Sequence, residues 1–487
     1  MTLEQFRAIQ CRRSFLREVA GGIGILALAD LLHADTKPGL AHTHPPESPV
    51  TGMNPLAPRK PHFPGKARSV IFMFMEGGPS QMDLFDPKPE LQRWHGKSLP
   101  GSMTKDLKLA FIKPTAAVLG SPRTFTKHGQ CGMELSDYIP HTAKIADDIC
   151  LVRSMHTDAF NHHPGQLLLF TGSTQFGRPT FGAWTVYGLG SESQNLPGFA
   201  VLTSGVGTSG GASNFSSGFL PSVYQGTLLR STGDPILYLS NPPGITPDTQ
   251  RAGLDALHDL NAEHQAATGD LEIASRIASY ELAYRMQTAG PELVDFSKES
   301  PQTLEMYGVN NETTRQFGTN CLLARRMVER GVRFVLMMHA SWDQHTNLNK
   351  ALKKNCDITD QPTAALIRDL KQRGLLDSTL IVWGGEFGRT PMSEIRNTSD
   401  PDNPGRDHHP NAYSMWLAGG GIKGGQVIGK TDDMGFNGVE DKIHVHDLQA
   451  TMLHCLGFDH TKLTYKHMGR DFRLTDIAGS VVQKMLA

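Results

Sequence analysis

Short apolar runs, each broken off by turn residues, punctuate this chain. Ser69–Met75 is apolar at nearly every position and stops at Glu76-Gly77-Gly78-Pro79-Ser80. Similar runs follow at 148–152, 332–338, 379–383 and Tyr413–Ala418, the last two closing on glycines. Runs that are apolar at successive positions predict strands buried on both faces. Between them, residues 135–146, 320–329, 363–373 and 446–456 carry apolar positions at helical spacing, with Gly374 and Gly457 placed to end the last two. Strands alternating with helices predict an α/β fold, a central and mostly parallel sheet with helices on both faces.

Two stretches depart from this rhythm. Residues 190–245 are rich in Ser, Gly, Pro and Asn and predict an irregular insertion. Residues 247–289 read as one long helix or two, with Leu254, Leu257, Leu260, Ile273, Ile277 and Leu282 as the buried stripe. Together they set an insertion over about 190–300. No repeat of fixed period is present.

The N-terminus reads Cys11-Arg12-Arg13-Ser14-Phe15-Leu16-Arg17, then an apolar run to Leu32 that holds three Gly and one Asp. That run is shorter and weaker than the roughly 20 apolar residues of a membrane span. The arginine pair fits the twin-arginine export signal. Residues 1–34 are therefore expected to be a signal peptide, with the twin-arginine translocase as a transient partner. The mature protein is expected in the periplasm or secreted, with no stable membrane span after cleavage. Residues 35–66, rich in Pro and His, read as a linker, and 67–487 as a single domain. Lys plus Arg number 47 against 48 Asp plus Glu, which removes the basic excess that nucleic-acid binding needs. The six cysteines form no Cys-x-x-Cys pair, so neither a thiolate zinc site nor a disulfide framework is indicated.

In open α/β sheets, ligands bind beyond the carboxyl ends of the strands. Glu76, the segment carrying His162 and His163, Asp343 with His345, and Glu386 all follow predicted strand ends. Arg406-Asp407-His408-His409 supplies two further imidazoles. Carboxylate and imidazole together suit zinc, manganese or iron, whereas oxygens alone favour calcium or magnesium. The expected cofactor is a divalent metal, with zinc, manganese or calcium as candidates. Plainer roles also fit each residue. Asp343 and His345 would shape a turn beside Trp342, Asp407 would hold His408 and His409, and Glu386 would accept backbone N–H groups. Glu76 would belong to a turn. His444, His446 and Asp447 read as helix-start residues. Pro164 fits the first turn of a helix running to Phe170 and closed by Thr171-Gly172. His162 then stands at a helix N-terminus, where free N–H groups attract phosphate or sulfate, and Asn161 is placed to cap it.

The spacing His162-x-Pro164-Gly165-Gln166-x-x-Leu169-x-Thr171-Gly172 resembles the sulfatase signature Cys-x-Pro-Ser-Arg-x-x-Leu-x-Thr-Gly. Several further motifs resemble a large bacterial family of exported proteins of unknown function (domain of unknown function 1501), which stands beside sulfatases and alkaline phosphatases. They are Gly77-Gly78-Pro79-Ser80 with Phe85-Asp86-Pro87, Trp342-Asp343-x-His345, Gly385 to Pro391, and Gly405 to His409. The resemblance implies an alkaline-phosphatase/sulfatase-like fold and metal-assisted hydrolysis of phosphate or sulfate esters. His162 stands where those enzymes carry a nucleophile, so a formylglycine made from cysteine is excluded. Phe387 replaces a ligating Asn or His.

The expected function is an exported metal-dependent hydrolase. His162 and Glu386 would act in catalysis, and Arg389 and Arg406 would clamp the anionic oxygens. Asp343, His345, Glu386, His408, His409 and Glu76 are the candidate metal ligands. The partner would be an anionic ester, a sulfated or phosphorylated small molecule or polysaccharide. The alternative is a non-catalytic exported binding or scaffold protein on the same fold.

Overall fold

Strand β1 (Ser69–Met75) is buried on both faces, as its unbroken apolar run predicts. Ile71, Met73 and Met75 point into one core, and Val70, Phe72 and Phe74 into another on the opposite face. A computed structural model describes residues 54–105, 109–206, 208–230, 241, 243–395 and 403–487. The twin-arginine segment and residues 35–53 of the expected linker lie outside these described residues.

The sheet is built from β1, β2 (Ile149–His156), β3 (Phe199–Ser204), β4 (Thr227–Leu229), β5 (Phe334–His339) and β6 (Thr379–Gly384). After the hairpin of β7 (Gly388–Glu394) and β8 (Gly405–His409) come β9 (Tyr413–Ala418), β10 (Gln426–Ile428) and β11 (Ile443–His444). The spatial order is β10-β2-β9-β6-β1-β5-β3-β4, with β11 also on β2. β1 pairs in parallel with β5 (Val70 opposite Phe334) and with β6 (Ser69 opposite Thr379). Within this sheet, among the described residues, β9 alone runs antiparallel, to β2 on one side and β6 on the other. β1, β2, β5 and β6 therefore all end at one edge of the sheet, and β9 begins there.

Helices α1 (His162–Thr171), α2 (Phe181–Leu189) and α7 (Val445–Cys455) bury Leu168, Trp184 and Met452 on one face. α5 (Arg315–Glu329) and α6 (Leu348–Gln372) bury Leu322 and Leu366 on the other. α6 starts well before the expected 363 and runs through Pro362. The apolar stripe of Leu352, Cys356 and Ile367 is buried against the core, and that packing outweighs the hydrogen bond the proline removes.

Four local expectations are corrected. Residues 190–245 are not a wholly irregular insertion, because β3 and β4 lie within them and extend the central sheet from β5. Residues 135–146 are not a helix. Leu135 pairs with Thr126 in a short hairpin, Pro140 interrupts the segment, and only a 3-10 stretch (Thr142–Asp148) follows. The region from 247 takes the second of its two readings, as helices α3 (Pro247–Thr268) and α4 (Leu271–Val294), but its expected buried stripe is only partly buried. Ile273 and Ile277 are buried, but Leu257 and Leu260 are 47% and 72% exposed, because α3 packs on α4 rather than on the core. Residues 54–66 of the expected linker are docked on the body, with Arg59 N donating to Leu189 O (2.8 Å) and Phe63 N to Gly457 O (3.1 Å). Among the described residues, no helix is long and apolar enough to cross a membrane.

Candidate metal centre

Segments from four strand ends and one hairpin meet at the carboxyl edge of the sheet. Beyond β5 the backbone turns sharply, with Ser341 at φ +100° just before Trp342 and Asp343. A non-glycine residue there is strained, a cost that surrounding contacts must offset. Ser341 O accepts from Gln344 Nε2 (3.0 Å) and Asn355 Nδ2 (2.6 Å). The loop after β1 lies directly beneath, and a Cβ on Gly77 would sit 2.3 Å from Asp343 N. The β7–β8 hairpin closes the other side. A Cβ on Gly405 would sit 2.1 Å from the His345 carbonyl carbon, so only glycine allows this approach.

Here three imidazoles converge on one carboxylate oxygen. Asp343 Oδ1 lies 2.8 Å from His345 Nε2, 3.1 Å from His408 Nε2 and 3.3 Å from His162 Nε2. Their ligand atoms all lie within 4.8 Å of one another. Each imidazole is held from behind by its other nitrogen. His162 Nδ1 is 2.5 Å from Glu386 Oε1, His345 Nδ1 donates to Glu394 Oε2, and His408 Nδ1 donates to Phe160 O at 2.8 Å. This is the carboxylate–histidine arrangement that fixes the tautomer and aims the free nitrogen at a cation. His162 Nε2 is buried without a well-formed hydrogen bond, as suits an atom that faces a ligand.

The charges are tightly linked. Burial opposes ionisation of Asp343, but hydrogen bonds from His162, His345 and His408 and the Arg389 charge hold its carboxyl far below the usual range. Burial disfavours a charged His162, yet Asp343 and Glu386 raise its pKa to about 9. His345 is raised against burial by Asp343 and Glu394. His408 is lowered, mainly by burial. Asp343 is 42% exposed at its side chain, so the cluster has one open side.

The remaining expected site residues are placed differently. His409 follows His408 on β8, so its side chain takes the opposite face. It is fully buried and donates from Nε2 to Phe436 O at 2.5 Å, outside the cluster. Glu76 Oε1 accepts from Gln166 Nε2 (2.9 Å) and Ser209 N (2.6 Å), also outside it, and burial raises its pKa. Glu386 accepts from Gly77 N and touches the cluster only through His162. Arg389 does not extend toward solvent as a clamp. It donates to Gly78 O (3.0 Å), Arg406 O (2.8 Å), Gly77 O and Asp343 Oδ1 (2.6 Å). Arg406 is equally enclosed, paired with Asp83 at 2.9 Å. Asn161 makes no side-chain cap on α1, whereas His444 and Asp447 form a capping box on α7.

Sequence reasoning missed one supporting carboxylate and placed another, Asp407, correctly beside His408. Glu394 stands 49 positions from His345, with no local pattern to join them. Asp407, inside the motif that carries His408, accepts from His408 N, Phe111 N and Ile112 N and ties a distant loop to the centre.

A mostly parallel sheet with a His/Asp cluster beyond its strand ends defines an α/β protein with a candidate metal centre. The chain belongs to the family described as "Protein of unknown function (DUF1501)", matched over residues 67–486. No curated protein matches it in sequence. Among solved structures it is similar to the lipoteichoic acid synthase LtaP from Listeria monocytogenes, at 8% identity and TM-score 0.35, covering 87% of this chain and 76% of that one. It is similar to the PsFucS1 sulfatase from Pseudoalteromonas sp., at 12% identity and TM-score 0.34, covering 82% and 68%. A mutant of the alkaline phosphatase from the Antarctic bacterium TAB5 matches at 11% identity and TM-score 0.33, covering 82% and 100%.

Proposed function

We propose that this protein is an exported, metal-dependent hydrolase of phosphate or sulfate esters that uses water, not a side chain, as nucleophile. The observation that carries this is the convergence of three Nε2 atoms on Asp343 Oδ1, each imidazole anchored at Nδ1. His162, Asp343, His345 and His408 would hold the cation. Three imidazoles and one carboxylate suit zinc, manganese or iron better than calcium. A bound divalent cation would polarise an ester oxygen or activate a water molecule. His162 is a ligand in this reading, since Glu386 holds its Nδ1 and its Nε2, without a hydrogen bond, is turned into the cluster. Glu386 and Glu394 are positioning residues. The twin-arginine segment supports export by that pathway and a periplasmic or secreted location.

One observation favours the non-catalytic alternative. Arg389 and Arg406 spend their hydrogen bonds inside the protein, so neither is free to grip an anion as expected. Metal analysis of the purified protein, together with turnover of nitrophenyl phosphate, bis-nitrophenyl phosphate and nitrophenyl sulfate, separates the readings. Hydrolysis requires stoichiometric metal and loss of both metal and turnover in Asp343→Asn. Metal without turnover of any of the three esters supports a binding protein. Absence of metal after reconstitution sinks both metal-based readings.

A further inference from the structure

The open side of the centre is bordered by two phenylalanines with exposed rings. Phe111 and Phe160 are 59% and 44% exposed, where apolar side chains of this size are usually covered. Their rings meet edge to face at 6.2 Å, and Phe111 also lies edge-on to the His408 imidazole at 5.6 Å. Both are fastened by their backbones to residues that frame the cluster. Phe160 O accepts from His408 Nδ1, and Phe111 N donates to Asp407 Oδ2 at 2.7 Å. Asp407 also accepts from His408 N at 2.8 Å. The rings are thus held in fixed register with a candidate ligand while their faces stay open. From Phe111 a groove of about 600 Å³ runs past Lys113 and Ala116 to Ser393, Glu394 and Ile395. Glu394 is the carboxylate that holds His345, so the groove and the cluster share a wall.

We propose that Phe111 and Phe160 form a specificity subsite for a ring with an apolar face, carried by the leaving group of the ester. This rests on the hydrolase reading above and names its substrate class. Aromatic side chains bind such rings by offset or edge-to-face contact, planar or saturated, with a preference over a methyl group. An anionic head at the cluster and a ring on Phe111 and Phe160 together give the substrate two points of attachment.

The test uses the full metal-loaded protein and three non-hydrolysable probes: methylphosphonate, phenylphosphonate and cyclohexylphosphonate. Calorimetry is expected to show a ring-bearing probe binding about tenfold more tightly than methylphosphonate. Phe111→Ala with Phe160→Ala keeps both backbone anchors and is expected to bring that preference within about twofold. Metal content and methylphosphonate affinity are expected to stay unchanged in this variant. The phenyl and cyclohexyl arms separate a planar ring from a saturated one. Equal affinity for all three probes in the wild type, or a preference that survives in the double variant, overturns the subsite and leaves the hydrolase reading standing. Failure of all three probes to bind the metal-loaded protein overturns both.

Discussion

His162 is held at one end and open at the other, with Nδ1 2.5 Å from Glu386 Oε1 and Nε2, without a hydrogen bond, 3.3 Å from Asp343 Oδ1. A ring held at Nδ1, with Nε2 turned toward two other imidazoles and a carboxylate, is placed as a ligand rather than as a nucleophile. His162→Ala is therefore expected to lower metal affinity by at least about tenfold, with turnover recovering in part at excess metal. Metal content per chain by mass spectrometry checks this. Unchanged metal content with abolished turnover would restore a covalent or acid–base role to His162.

Glu394 buttresses His345 as Glu386 buttresses His162. Glu394→Gln is expected to weaken metal binding by about 10- to 100-fold, the usual effect of removing such a carboxylate. The melting temperature of the metal-free protein should change little. Chelator competition measures the affinity, and an unaltered value would show that Glu394 serves only to fill the hairpin.

Arg406 and Asp83 form an ion pair at 2.9 Å with both side chains almost fully buried. Burial works to raise the Asp83 carboxyl, but the neighbouring guanidinium outweighs it and holds the pKa low. Arg406→Met leaves a buried carboxylate without its counter-ion and is expected to cost about 3–5 kcal/mol in urea unfolding. Adding Asp83→Asn should recover much of that loss. If the single variant is as stable as the wild type, the pair contributes little to folding.

His339, at the end of β5, is buried beside Phe317 and Trp342, and burial lowers its pKa from 6.5 to about 4. The folded protein keeps this ring neutral. Above pH 6.5 neither state is protonated and the contribution to stability is complete. As pH falls from 6.5 toward 4, the unfolded chain takes up a proton that the folded one refuses. About 3 kcal/mol is lost over that window. His339→Gln should flatten the pH dependence of stability between 6.5 and 4, read by denaturation at several pH values. An unchanged slope would assign the acid sensitivity to other groups.

The two faces of the α3–α4 hairpin should respond unequally. Ile277→Ala empties a buried site and is expected to cost about 2–5 kcal/mol. Leu260→Glu, on the exposed side of α3, should fall within about 0.5 kcal/mol of wild type. Thermal melts of the two variants test this, and a large effect at Leu260 would mean that something covers that face.

The central sheet was legible because its strands are buried on both faces. Ser69–Met75 and Tyr413–Ala418 needed no distant context to be recognised. The carboxyl-edge rule brought Asp343, His345 and Glu386 to one neighbourhood from residue order alone. What order could not supply was rotation about each local axis. His408 and His409 are chemically identical neighbours, and only strand geometry turns one inward and the other toward Phe436. Arg389 and Arg406 looked like anion clamps because guanidinium groups near a cluster of acids and histidines usually are. Their partners are mostly backbone carbonyls, which carry no mark in a sequence. Leu257 and Leu260 keep a helical period, but no residue of α3 is buried, and a period alone does not say whether a face is covered.

The partners at the heart of this site stand as far apart as 248 positions, Phe160 to His408. The first 342 residues supply one of the four candidate ligands, His162, and a product cut short before the β7–β8 hairpin lacks His408 altogether. On the metal-binding reading, a nascent chain would have to extend past His408 before all four groups could hold a cation, and copies cut short of that point would stay empty.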